Sequence, residues 1–223
     1  MRHAAVRTLT TVALASSLVG LTAGPASADR WWGADRSADV RQSSYSPDPP
    51  PCGTFSAVTT PQDASTDIVG LSVRHEGDTV ELRAHLRNLT GWGDRWVSFE
   101  IQTDRRPYSV DITRNPARDS EDLWLMDASD VPSPPDECGS YATINFGVPC
   151  EGMTADASSR DDHVSVVIPR SCLGSPRWVE VGLRSSRTVG DRYRFDTWRR
   201  PEIDPTPTNS LLGPLGPRVR HSR

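Results

Sequence analysis

The side chains best suited to chemistry in this sequence are acidic and aromatic. Asp63 and Asp67 stand just ahead of a strand-like run, with Asp161 and Asp162 as spatial partners. Carboxylates at strand ends supply the oxygen ligands that calcium takes, so calcium is the one metal these residues suit. No DxDxDG loop accompanies them, and solvated carboxylates capping turns are the competing reading. No other cofactor is expected. Trp92, in Gly91-Trp92-Gly93, and Trp96 form the second group, with Trp124 and Trp178 as further rings. Alternation sets Trp96 with Ser98 and Glu100, opposite Val97 and Phe99, so Trp96 is expected to face outward. An exposed aromatic pair is a stacking platform for a sugar; filling or edging the core is a tryptophan's other fate.

Catalytic signatures are missing. There is no GxSxG, HExxH or SxxK pattern. All 25 basic residues are arginine, which excludes Schiff bases, a pyridoxal-phosphate anchor and a P-loop lysine. A carboxylate pair for glycoside cleavage depends on a separation of about 5–10 Å, which 29 acidic residues in sequence do not display. Met126, Met153, His85 and His163 could ligate haem iron, but no CxxCH attachment motif is present. The expectation is a protein with no catalytic residues.

The elements that must position these residues start after an address. Residues 1–28 read as a secretory signal peptide: Arg2, His3 and Arg7, an apolar run from Leu9 to Leu21, then Ala26-Ser27-Ala28. Removing it leaves 23 arginines against 29 acids, a formal net of −6. An acidic domain lacks the positive face that phosphate contacts need, so no nucleic-acid partner is expected. No later stretch is long and apolar enough for a membrane helix, so no membrane partner is expected after cleavage. The protein is expected to be secreted.

Cys52, Cys138, Cys150 and Cys172 lie beyond the cleavage point. An even count in an oxidising compartment, with no CxxC, reads as two disulfides. Three pairings exist. Cys150–Cys172 with Cys52–Cys138 is favoured, because Cys150 and Cys172 flank the strand-like Val164–Ile168, which could fold back beside the segment after Cys150.

Residues 29–51 read as a flexible N-terminal arm and 201–223, rich in proline, as a disordered tail. Between them, residues 52–200 show period-two alternation. Val69, Leu71 and Val73 alternate with polar neighbours, Glu76-Gly77-Asp78 turns the chain, and Val80, Leu82, Ala84 and Leu86 alternate again. Short strands follow at Val97–Ile101, Tyr108–Thr113, Leu123–Met126, Tyr141–Val148, Val164–Ile168, Val179–Leu183 and Tyr193–Thr197, with a helical turn at Ser171–Ser175. The arginines on these strands fall on the polar faces. The pattern predicts an all-β chain, an antiparallel, jelly-roll-like β-sandwich in one domain.

Asp67-Ile68-Val69 opening a hairpin, and Pro169-Arg170-Ser171-Cys172-Leu173-Gly174-Ser175-Pro176 leading into Trp178-Val179-Glu180-Val181, carry a resemblance. The chain resembles small secreted actinobacterial proteins whose sandwich is similar to the DOMON and family-9 carbohydrate-binding-module folds. The resemblance spans roughly residues 63–198, and the lysine-free composition fits a GC-rich genome. It implies a ligand-binding sandwich, for sugar or, in some DOMON domains, haem. Its motifs mark strand ends and a disulfide, and neither ligand's residues carry over. The expected role is a non-catalytic binding or interaction module for an extracellular ligand, carbohydrate foremost. A glycan-directed secreted hydrolase and a purely structural extracellular protein are the alternatives.

Overall fold

The computed structural model describes residues 29–47, 53–89, 95–115, 120–129, 146–190, 192–199 and 214–222. The signal-peptide segment, Cys52, Trp92 and Cys138 lie outside the described residues. In chain order the strands are β1 (Arg30–Ala34), β2 (Arg41–Ser46), β3 (Thr54–Thr59), β4 (Ile68–Glu76), β5 (Thr79–Leu86), β6 (Arg95–Thr103) and β7 (Tyr108–Asn115). They continue as β8 (Ser120–Asp127), β9 (Phe146–Gly147), β10 (Thr154–Ser158), β11 (His163–Pro169), β12 (Trp178–Val189), β13 (Arg192–Thr197) and β14 (Val219–Arg220). A 3-10 turn at Arg170–Leu173 is the one helical element among the described residues.

Two antiparallel sheets pack face to face as a sandwich. The smaller has the order β1-β4-β5-β11-β10; the larger runs β3-β2-β13-β12-β6-β7-β8-β9, with β14 beside β12. The alternation in the sequence explains the core. Leu71, Ala84 and Val164 stand side by side across three strands, as do Val73, Leu82 and Val166. Facing them, Val110, Phe99 and Leu183 form one row of the larger sheet, and Tyr108, Ile101 and Val181 the next. All of these residues are buried. Each stands opposite a neighbour of its own kind, the local unit of sheet stability.

The phase of β4 departs from the expected alternation. Ile68 pairs with Leu86 and Gly70 with His85, leaving Val69 as the extra residue of a β-bulge. Ile68, not Val69, therefore enters the core, and Val69 is only half-buried. The bulge also frees the Ile68 N–H, which donates to Asp196 Oδ2 at 2.7 Å at the end of β13. A one-residue irregularity thus ties the two sheets together beside the acidic turn.

The segment expected as an arm supplies β1 and β2, one strand to each sheet. Neither has the apolar alternation of a core strand. β1 is held by its ladder to β4 and by Trp31, whose ring meets Trp198 edge-on at a centroid distance of 5.4 Å. The end of the chain is also seated. The Gly216 N–H donates to the Val181 carbonyl, β14 pairs with β12, and Val219 is buried. Residues 201–213 of the expected tail lie outside the described residues. Backbone hydrogen bonding plus one or two buried side chains per segment is enough here, and it leaves no periodic signature.

Cys150 and Cys172 pair as a disulfide with Cα atoms 5.4 Å apart. The fold-back that this pairing requires is the antiparallel β10–β11 hairpin, in which Thr154 stands opposite Val167 and Ser158 opposite His163.

Gly33 explains how two tryptophans share one corner. A β-carbon there would come within 2.5 Å of two atoms of the Trp31 ring and 2.9 Å of Trp198 Cζ2. Replacing Gly33 with alanine is expected to destabilise the fold by about 1–3 kcal/mol through overpacking. Denaturant unfolding followed by tryptophan fluorescence measures this; an unchanged midpoint would show that the corner has room.

Candidate functional site

One end of the sandwich concentrates buried charge. Arg194, Arg187, Arg95 and Arg114 are successive cross-strand partners on β13, β12, β6 and β7. Like charges directly opposite repel, so such a row needs anions. The turn before β4 supplies them. Asp63 Oδ2 accepts Arg187 Nε (3.0 Å), Arg187 Nη2 (2.8 Å) and Arg194 Nη1 (3.1 Å). Its Oδ1 accepts the Thr66 N–H, and the Ser65 carbonyl accepts Arg95 Nη1. Burial alone would raise the Asp63 pKa, but the hydrogen bonds from Arg187 and Arg194 hold it below the usual carboxylate range. Arg95 is buried, which pulls its pKa down to about 10. Arg95 and Arg187, just beyond the strand segments Val97–Ile101 and Val179–Leu183 read from sequence, thus stand on the inward side of the sheet. The turn's acid and carbonyl make that position tenable.

A few residues on, the balance reverses. Asp67 is fully buried; its Oδ2 accepts the Ala38 N–H (2.7 Å) and pairs with Arg87 Nε (2.7 Å), while its Oδ1 has no hydrogen-bond partner. Carboxylate oxygens of Asp39, Asp67 and Asp196 lie within 4.8 Å of one another. Asp196 is spoken for by the Ile68 and Thr197 N–H groups. Asp35, on the same loop as Asp39, accepts the Arg36 and Arg199 N–H groups. Burial raises all four carboxyl groups: Asp35 to about 6, Asp39, Asp67, and Asp196 well above its ordinary value. Of the acids picked out from sequence, Asp63 is closed by arginine and Asp67 faces two other acids, Asp39 and Asp196. Asp161 and Asp162 serve elsewhere, accepting the Ser158 hydroxyl and the Leu89 N–H.

The outer face of the larger sheet carries the aromatic group. Cross-strand register puts Trp124, Asp111, Ser98, Arg184 and Thr197 in one row. Trp96 and Trp124 are exposed, at 36% and 56%. Asp111 is buried beside Ser98 in the register, and its Oδ1 has no hydrogen-bond partner. Glu100 belongs to the next row beside Gly182, over which Pro214 and Leu215 pack. Burial pushes the Glu100 carboxyl up to about 8, and burial also raises Asp111. Arg184 Nη2 donates to the Tyr193 hydroxyl (3.2 Å), and its guanidinium lies over the Tyr193 and Phe195 rings. The face therefore carries two exposed rings, Trp124 on β8 and Trp96 on the interior strand β6, with the Ser98 hydroxyl and the Arg184 guanidinium in the same region and the Asp111 carboxyl buried between β6 and β8.

Trp178 is not a free ring: Arg218 lies 4.2 Å above it. His85 Nε2 meets Ser72 Oγ at 2.7 Å, and His163 faces Asp156 at 3.6 Å. On the opposite sheet, Trp32 (59% exposed) borders a groove of about 370 Å³ with Arg30, Arg74, Glu81 and Arg83. Asp35, Asp39, Asp196 and Asp111 were not singled out by sequence. Asp111, an acid set between Val110 and Ile112, carried a signal in its position; the other three come together only through the bulge and the strand order. No family model, no curated protein and no solved structure matches this chain.

Glu100 gives a pH-dependent test of this description. Its folded pKa, about 8, lies above its ordinary 4.5, so its contribution to stability is whole below about 4.5 and is lost as pH rises through about 8. Glu100→Gln removes that loss. The variant is expected to gain a few kcal/mol over wild type near pH 8 and little near pH 4, read by denaturant unfolding across pH. An equal effect at both pH values would place Glu100 in water.

Proposed function

We propose that the protein is a secreted, non-catalytic binding module, and that its ligand is an extracellular carbohydrate held on the outer face of the larger sheet. The observation that carries this reading is the pairing of two exposed tryptophans, Trp96 and Trp124, with the polar row Asp111, Ser98 and Arg184. Sugars present apolar C–H faces that stack on rings and hydroxyl groups that need both donors and acceptors. Trp96 and Trp124 supply the rings. Arg184 supplies donors and the Ser98 hydroxyl both donates and accepts, while Asp111, 8% exposed, lies buried in the same row. Preorganised partners of this kind lose little freedom on binding. The disulfide within the β10–β11 region agrees with an oxidising compartment, and the resemblance to carbohydrate-binding sandwiches points the same way.

A second reading rests on one observation: two acids, Glu100 and Asp111, share this face, and burial keeps Glu100 protonated at neutral pH. A protonated acid beside a second carboxyl is the equipment of glycoside hydrolysis. Glu100 is 7% exposed, however, with Pro214 and Leu215 packed beside it, which leaves a leaving-group oxygen little access. Binding is the reading the geometry favours.

A glycan array probed with the full chain tests the proposal, followed by tryptophan-fluorescence titration of any glycan retained. Trp124→Ala and Trp96→Ala are each expected to weaken binding by about three- to tenfold, while Trp32→Ala leaves it unchanged. Silence across the array, or loss of binding through Trp32→Ala alone, would contradict it. Cleavage of the retained glycan that stops in Glu100→Gln would support the hydrolase instead.

A further inference from the structure

We propose that Asp39, Asp67 and Asp196, with Asp35 beside them, form a binding site for one hard divalent cation, calcium in kind. This inference is independent of the carbohydrate face. Three distant pieces of chain meet here: the loop between β1 and β2, the residue that precedes β4, and the end of β13. Their carboxylate oxygens, within 4.8 Å of one another, are spaced as ligands around one ion. Calcium–oxygen distances of about 2.3–2.6 Å put ligands on opposite sides of the ion at about 5 Å and adjacent ones closer.

Proximity of acids alone would not make a site. The second observation is a set of acceptors with nothing to accept from. Asp67 is fully buried, its Oδ2 is satisfied, and its Oδ1 has no partner. Asp39 Oδ1 and Asp35 Oδ2 are likewise buried without partners. Buried acceptors almost always find a donor or an ion. Carboxylates cannot serve one another as donors while ionised. The contrast with Asp63 is instructive. That carboxylate, four positions earlier, is met by two arginines and has no orphaned oxygen, whereas Asp67 has Arg87 alone against two neighbouring acids, Asp39 and Asp196.

The donor set selects the kind of ion. It contains oxygen and no histidine or cysteine, which suits a hard cation rather than zinc or copper. Several of the carboxylates are fixed by backbone N–H groups at positions the fold dictates: Asp67 by Ala38, Asp196 by Ile68 and Thr197, Asp35 by Arg36 and Arg199. Calcium accepts such irregular geometry and completes its six to eight ligands with water, whereas magnesium demands a near-ideal octahedron. An ion here would hold the β1–β2 loop, the start of β4 and the end of β13 to one point, and so staple both sheets at this end.

The test uses the full chain with its disulfides, stripped of metal by a chelator. Calcium at about 1 mM is expected to raise the melting temperature by several degrees, and magnesium by clearly less. Terbium, a calcium mimic, is expected to luminesce on tryptophan excitation, because Trp198 lies two residues from Asp196 and is buried beside Gly33. Calcium should displace it. Asp39→Asn, which alters the half-exposed member of the group, is expected to keep its β-sheet circular dichroism and to weaken terbium binding at least tenfold. Asp156→Asn, on exposed β10, should titrate as wild type. No calcium shift and no terbium signal in wild type would overturn the proposal, as would equal terbium binding by Asp39→Asn and wild type. Should Asp39→Asn fail to fold, the two wild-type titrations decide the question.

Discussion

Charge buried at one end of the sandwich is the constraint on which the rest of the structure leans. Four arginines in register across β13, β12, β6 and β7 would repel one another across the sheet. Removing such groups from water costs several kcal/mol apiece unless each finds a partner. The turn before β4 answers this with Asp63 and the Ser65 carbonyl, and in doing so joins the end of the smaller sheet to the larger. Arginine suits the task. Its planar fork lets Arg187 meet one carboxylate oxygen through two nitrogens, and it stays charged when buried. The absence of lysine from this chain is therefore matched by structural use of what arginine does and lysine does not.

The same crowding produces the opposite situation a few residues along. Once the bulge at Val69 has drawn Ile68 against Asp196, the Asp67 carboxylate shares its space with Asp39 and Asp196. Arginine balances one carboxylate and leaves the adjoining group with surplus negative charge. On the other side of the larger sheet, the outer face presents the Trp96 and Trp124 rings to its surroundings. The two regions differ in kind: one end ties the sheets together through buried charge, and one face carries exposed aromatic rings.

Much of the architecture was legible because it rests on short-range alternation. The β4–β5 hairpin, β6, β11 and β12 each carry a dry face that period two displays, and the Cys150–Cys172 pair follows from the hairpin it spans. β1, β2 and β14 were not legible, because their stability comes from ladders to distant strands and from single side chains packed on the core, such as the partly buried Trp31 and the buried Val219. The outward placement of Trp96 followed from parity along β6. The burial of Glu100 did not, since it depends on Pro214 and Leu215, more than a hundred residues away. Asp67 stood out together with Asp63, with Asp161 and Asp162 as expected partners, but its actual companions Asp39 and Asp196 are neighbours only through strand order and one bulge. Strand parity assigns a side chain to a face; it does not say which distant loop arrives there.

The claim that arginine satisfies Asp63 while a cation satisfies the Asp67 group is tested most directly by anomalous scattering. Crystals of the full chain grown in calcium, measured at long wavelength, should show one strong anomalous peak between the carboxylates of Asp39, Asp67 and Asp196, and none at Asp63. A map with no peak among those three carboxylates, or with its peak at Asp63, would contradict the account.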